Sequence, residues 1–342
     1  MTYQRILSRA RMLALLSSTA TLGLLAAAQT AGVTQHLEAA QTAAGTDMQA
    51  PLRLCAVARG NAPAPVSFED NVKKLSLLPR IGPAKVFDNL YFLGARWSST
   101  WAIDTEEGII LLDALDNKEE AQSYVVEGMR ALNLDPARIR FIVISHGHGD
   151  HYGGADYLRK ISGARLVSSQ ADWQEMARVV SPHPFFDPPP RRDMQRDIAL
   201  NDGDTISLGS TVITMHVTPG HTHGTLSPTF DVLDGGRKHR AMLWGGTAFN
   251  FGPMPERLQM YANSAKAYKA LAARENVEVL LSNHISFDDA DKKLAALQKG
   301  GPAAKNPFVI GQDAVQRFLT VADECALATK AGIPAKHWTS GH

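Results

Sequence analysis

The stretch FIVISHGHGDHYGGADYL, residues 141–158, runs an apolar segment into four metal-capable side chains within six positions. His146, His148, Asp150 and His151 are separated only by Gly147 and Gly149. Imidazole nitrogen and carboxylate oxygen are donors that zinc accepts, and a catalytic zinc keeps one position open for water. On a regular helix His146 and His148 would point roughly 200° apart. They must therefore sit on a bent loop after the strand, which the glycines permit, with Asp150 and His151 opening a helix. A solvated turn would give no reason for four such residues directly behind a buried strand. Two more histidines repeat the pattern: His221 in VTPGHTHG and His284 in LLSNHISF each follow an apolar run. His223, two residues on, is the rival of His221. Strand ends at one sheet edge converge, and open α/β architectures place their sites there.

The elements that must position these residues follow from periodicity. KVFDNLYFLG, TWAIDT and GIILLDAL read as short strands. Residues 117–133 carry apolar side chains at helical spacing, and ARIRFIVIS is a continuous apolar strand of the kind buried on both faces. The pattern then repeats. ARLVSS is a strand and ADWQEMARVV a helix, and DTISLG, STVITMHVT, TLSPTFDVL and HRAMLWGG are strands. A long helix ERLQMYANSAKAYKALAARE precedes the strand VEVLLSN, and two further helices close the chain. Two sheets, each covered on its outer side by helices, would bury all these runs. SPHPFFDPPPRRD, residues 181–193, contains five prolines. It can be neither helix nor central strand, and reads as a stiff loop and candidate pocket wall.

The first 28 residues combine Arg5, Arg9 and Arg11 with an apolar run ending in Ala26-Ala27-Ala28, the make-up of a cleaved secretory signal. The expected destination is the periplasm or the exterior, with no membrane attachment after cleavage. Residues 29–75 read as a linker with one short helix, 76–300 as the catalytic domain and 301–342 as a C-terminal helical extension packed on it. Cys55 and Cys325 could bridge in an oxidising compartment, but the simpler reading is two unrelated buried thiols. With 35 basic and 34 acidic residues, the chain shows no electrostatic case for nucleic acid. The expected partner is a small-molecule substrate.

The ordered motifs HGHGDH (146–151), TPGHTHG (218–224) and SNH (282–284) resemble the signatures of the metallo-β-lactamase superfamily, across roughly residues 85–300. The resemblance implies an α/β four-layer αββα sandwich and two zinc ions per chain. His146, His148 and His221 would hold one, and Asp150, His151 and His284 the other, with hydroxide between the metals as nucleophile. Two adjacent divalent cations lower the pKa of water towards neutrality, and Asp150 would be the catalytic group that holds its proton. Asp113 in IILLDAL resembles a carboxylate that orients such histidines; as a residue type it equally suits a strand-end turn.

Within that superfamily the chain most resembles the third subclass of class B β-lactamases, which shares the export signal, the TPGHT turn and the Asn-His pair. Other branches carry an Asp bridging both metals after a strand, or a Cys there. Here LWGGTAFNF (243–251) offers Gly246 and Thr247. Phe249 stands where that subclass has a carboxylate-binding serine, and it cannot hydrogen-bond. Thr225, Thr247 and Phe249 are the candidate substrate contacts. The expected function is a zinc-dependent hydrolase opening a cyclic amide or ester, β-lactamase-like. The alternatives are a lactonase or esterase using Phe249, Phe185, Phe186 and Trp244 as an apolar pocket, and a metal-binding protein without hydrolytic activity.

Overall fold

The computed structural model describes residues 29–60, 70, 73–74, 77–177, 196–249, 251–300 and 305–334. The apolar leader and the proline-rich loop with His183, Phe185 and Phe186 lie outside the described residues. Among the described residues, twelve strands form two sheets. The first runs β1 (Ala84–Lys85), β2 (Leu90–Phe92), β3 (Trp101–Thr105), β4 (Gly108–Leu112), β5 (Ile139–Val143), β6 (Arg165–Ser169) and β7 (Ile198–Leu200) in that spatial order. It is antiparallel as far as β4 and parallel beyond. The second consists of β8 (Thr205–Leu208), β9 (Thr211–Thr214), β10 (Thr229–Asp234), β11 (Arg237–Trp244) and β12 (Val279–Ser282), ordered β12-β11-β10-β9-β8. Of its pairs, β11 and β12 are parallel and the others antiparallel.

Strand alternation distributes the core. On β4, Ile110 and Leu112 face the second sheet, while Ile109 and Leu111 face helices, so all five residues are buried. The layer between the sheets joins Leu90, Phe92, Trp101 and Val143 to Ile213, Phe230, Leu243 and Leu281. Outside the first sheet pack helical residues Val125, Met129, Leu158 and Trp173. Outside the second pack Tyr261, Tyr268, Phe318 and Ala322 from helices Pro255–Arg274 and Gln312–Ala331. This is the expected αββα sandwich. Strand β7, an edge strand of three residues in a polar context, has no signal in the apolar pattern.

The ends of the chain depart from expectation. The segment read as a linker contains a helix over 29–44 and a 3-10 helix Ala50–Ala56. Ala40, Ala44, Leu52 and Leu54 from this segment join the outer core together with Gln312–Ala331. That last helix packs on the outer side of the second sheet beside helix Pro255–Arg274. Cys55 and Cys325 are joined by a disulfide, with Cα atoms 4.5 Å apart. The reading of two unrelated thiols is therefore corrected: their long sequence separation hid a close spatial approach that only the docked N-terminal segment produces. The described helices include none long and apolar enough to cross a membrane.

Candidate metal centre

All the candidate ligands stand where strands end. Strand β5 stops at Val143, the turn carries His146 and His148, and helix Gly149–Tyr152 carries Asp150 and His151. The helix is followed by Gly153-Gly154, where the backbone approaches neighbouring carbonyls too closely for any side chain. A Cβ at Gly153 would meet Asp116 O at 1.5 Å, and one at Gly154 would meet Ala114 O at 2.4 Å. His221 lies in the turn between β9 and β10, and His284 follows β12. Two hydrogen bonds hold the sheet edges together here: Leu226 N–H donates to Ser145 O (2.7 Å) and Ser99 N–H to Asn283 O (2.8 Å).

The six residues form two groups, His146–His148–His221 and Asp150–His151–His284, each with its donor atoms within 4.8 Å of one another. The groups adjoin: the rings of His146 and His151 are 4.1 Å apart at their centroids. In the first, His221 Nε2 lies 3.0 Å from His146 Nε2 and 3.1 Å from His148 Nδ1. In the second, Asp150 Oδ2 lies 3.2 Å from His151 Nε2 and 3.6 Å from His284 Nε2. A tetrahedral ion about 2.0–2.1 Å from each donor spaces those donors about 3.3 Å apart. The four donor pairs just named lie close to that spacing, and the remaining pair in each group lies within 4.8 Å.

Hydrogen bonds on the outer side of the rings fix which nitrogen faces inward. His146 Nδ1–H donates to Gly245 O (2.8 Å), and His221 Nδ1–H to Ala248 O (2.9 Å). His151 Nδ1–H donates to Asp113 Oδ2 (2.8 Å), and His284 Nδ1–H to Trp97 O. With the proton on the outer nitrogen, the neutral rings of His146, His221 and His284 turn a bare Nε2 lone pair inward. Burial, and then the neighbouring imidazoles, lower the pKa of His146 and His221 well below the usual histidine value, which keeps both neutral. Two such lone pairs 3.0 Å apart repel unless a cation lies between them.

Both oxygens of Asp150 and the Nε2 of His151 are buried without a hydrogen-bond partner. Removing a carboxylate from water costs several kcal/mol unless an opposite charge compensates. Burial opposes ionisation of Asp150, but the imidazoles of His151, His284 and His148 outweigh it and hold its pKa well down. Burial also opposes the charge of His151, yet Asp150 and Asp113 prevail and hold its pKa up at about 10. The 3.2 Å approach of His151 to Asp150 counts as a charge contact without hydrogen-bond geometry. We read it as a pair arranged around a third, cationic partner. The residues present therefore fit two divalent ions.

Asp113 has the contacts expected of an orienting carboxylate. It is buried, accepts from Ser145 N–H (2.7 Å) and Ser145 Oγ–H (2.8 Å), and holds His151. Asp113→Asn is expected to weaken metal binding at the Asp150–His151–His284 group by about 10- to 100-fold. Competition with a chromophoric chelator measures this, and an unchanged affinity would show that Asp113 is only a turn residue.

The remaining candidates fall elsewhere. His223 is exposed while His221 is buried, so the rivalry between them is resolved by placement. Thr225 is buried, with its hydroxyl on Thr222 N–H (3.1 Å) and on the Thr222 hydroxyl (2.7 Å). Thr247 is fully buried and donates to Asn283 Oδ1 (2.8 Å). The Thr225 hydroxyl thus braces the turn that carries His221, and the Thr247 hydroxyl ties the segment after β11 to the residue before His284. Phe249 packs edge-on against Tyr261 at 4.9 Å, and Trp244 lies in the outer core with its Nε1–H on Tyr261 Oη (2.8 Å). Of the four aromatics expected around a pocket, Trp244 is thus buried in the outer core, Phe249 is half-buried, and Phe185 and Phe186 lie outside the described residues. A cavity of about 630 Å³ lies beyond β12, between Met48, Phe287, Lys293 and Phe318, and includes none of the six ligands. The chemistry is assigned to the histidine cluster on donor geometry, not on cavity size.

Three partners escaped the sequence reading. Asn283 donates to Gly245 O (2.6 Å) and supports the carbonyl that holds His146. Trp97 offers only its backbone carbonyl, which no side-chain pattern announces. Asp172 lies outside every motif and is treated below.

A sandwich with two adjoining ligand triads at one sheet edge is the class of protein that the fold and site define. Residues 93–234 match the family model of the metallo-beta-lactamase superfamily. Among curated relatives, the hydroxyacylglutathione hydrolase of Acidiphilium cryptum (strain JF-5) is 28% identical over 156 residues, 46% of this chain and 54% of that protein. The hydroxyacylglutathione hydrolase of Cereibacter sphaeroides (strain ATCC 17025 / ATH 2.4.3) is 33% identical over 108 residues, 32% of this chain and 35% of that protein. The chain thus matches about half the length, or less, of these two relatives. Among solved structures, the native FEZ-1 metallo-beta-lactamase from Legionella gormanii aligns with TM-score 0.62 and 22% identity, over 76% of this chain and 98% of that one. BJP-1, a subclass B3 metallo-beta-lactamase of Bradyrhizobium japonicum, aligns with TM-score 0.58 and 24% identity, over 71% and 91%. These two likenesses establish the fold.

Proposed function

We propose that this chain is an exported dizinc hydrolase that opens a cyclic amide or ester, with a β-lactam-type ring as the favoured substrate. The observation that carries the reading is the composition of the two triads, in which Asp150 is the one carboxylate. A carboxylate bridging both metals from the turn after β11 would have to come from 245–247. There Gly245 O accepts from His146, and a Cβ at Gly246 would stand 2.6 Å from His221 Cβ. Backbone fills the place where thioester-cleaving branches of the superfamily carry their bridging Asp, which favours the β-lactamase-like reading over the activity named for the hydroxyacylglutathione hydrolases. The disulfide supports an oxidising destination.

Zinc ions held by His146, His148 and His221 and by Asp150, His151 and His284 would supply Lewis acidity and a water acidic enough to act near neutral pH. The chain's own groups do the rest. The four outer hydrogen bonds keep each Nε2 aimed inward, so little reorganisation accompanies the reaction. Asp150 needs only one oxygen as a ligand, and its second is a proton acceptor within the site.

The test is a screen of purified protein against a chromogenic cephalosporin, a hydroxyacylglutathione thioester and a series of lactones, each with and without chelator. Chelator-sensitive turnover of the cephalosporin, restored by zinc, is expected. Preference for the thioester or the lactones would overturn the substrate assignment, and no turnover with both zincs bound would favour a binding protein.

A further inference from the structure

We infer that Asp172 is a positioning residue for the His146–His148–His221 triad, acting through the two loops that carry those ligands. The inference rests on the assignment of that triad as a metal site. Asp172 is fully buried, three residues beyond the end of β6 and in the first turn of helix Gln170–Ala177. Its Oδ2 accepts from Gly147 N–H (3.1 Å), the residue between His146 and His148. The same oxygen accepts from Thr222 Oγ1–H (2.8 Å), next to His221. Its Oδ1 accepts from Gly224 N–H (3.0 Å) in the same turn. One carboxylate therefore joins the turn after β5 to the turn after β9, and all three ligands of a single triad lie within one residue of its partners.

The arrangement is built closely. Asp172 N–H donates to Ser169 Oγ (3.1 Å), which fixes the start of the helix. A Cβ at Gly224 would meet Ser169 Oγ at 2.0 Å and Asp172 Oδ1 at 2.8 Å, so only glycine lets this turn approach the carboxylate. None of these bonds reaches Asp150, His151 or His284. The effect of losing them should therefore be confined to one triad, which a purely structural role would not produce.

Thr222 provides the milder test, since Asp172→Asn replaces an acceptor with a donor inside a buried network and could disrupt folding. Thr222→Val removes the hydroxyl that Asp172 accepts, and Thr222→Ser keeps it. Zinc affinity would be measured by chelator competition in two backgrounds of the full chain. His284→Ala leaves the three-histidine triad, and His221→Ala leaves the Asp150–His151–His284 triad. In the first background, Thr222→Val is expected to weaken zinc binding by about tenfold, with Thr222→Ser near the parent. In the second, both should change affinity less than twofold. Cobalt-loaded protein of the first background should show an altered visible spectrum with Thr222→Val, while the parent spectrum persists with Thr222→Ser. Equal weakening in both backgrounds, or none in the first, would overturn the inference. If the first background binds no zinc even with Thr222 intact, the triad assignment itself fails, which is a separate result.

Discussion

Asp150→Asn is expected to lower kcat/KM by about 10²–10⁴-fold, the range for loss of a positioned proton acceptor, while the protein stays folded. The substitution keeps the side chain's shape and removes its charge and one oxygen acceptor. Asp150 is buried and neither of its oxygens has a hydrogen-bond partner, so the substitution removes charge contacts with His151 and His284 but no hydrogen bond. A thermal melt should show the fold intact, and metal analysis should show weaker binding of one zinc per chain. His284→Ala removes a ligand from the same triad and should give a similar loss. Wild-type rates from the His284→Ala protein with one bound zinc would refute the two-metal assignment. Retention of activity within tenfold in Asp150→Asn would remove Asp150 from the chemistry.

The second large effect concerns stability. Replacing Cys55 and Cys325 together by serine is expected to destabilise the protein by about 5 kcal/mol, because a cross-link spanning 270 residues removes much loop-closure entropy from the unfolded chain. In a domain of this size that corresponds to a fall in melting temperature of about 10 °C. The loss should be reproduced by reduction of the unsubstituted protein. The metal triads lie in other elements, so zinc affinity and turnover of the folded variant should hold. A melting temperature unchanged by both treatments would show that packing of Ala40, Ala44 and Leu54 against the Gln312–Ala331 helix already restrains the N-terminal segment.

Both predictions depend on different amounts of sequence information. The ligands behind Asp150 were legible because each follows an apolar run closely. The backbone places a residue just beyond a strand end with little freedom, and parallel strands bring their ends to one edge. His146, His148, Asp150, His151, His221 and His284 all meet there. The sandwich was legible for a related reason: continuous apolar runs such as Ile109–Leu112 require cover on both faces. What the hydroxyls of Thr225 and Thr247 bond to, Thr222 and Asn283, was not legible, because proximity to the ligands in sequence does not reveal which way a side chain points.

The sequence by itself determined the candidate donor residues, their placement after apolar strands and the layered fold, since these follow from residue type and local periodicity. Only the tertiary structure decided the rest. It paired Cys55 with Cys325, put His223 outside and His221 inside, and aimed each Nε2 inward through the carbonyls of Gly245, Ala248 and Trp97 and the carboxylate of Asp113. It also brought Asp172 onto Gly147 and Gly224. Those partners are 25 or more residues from the groups they hold, and most are backbone atoms common to every residue. Their roles arise from how loops from separate strands pack together, and no local pattern of side chains encodes that.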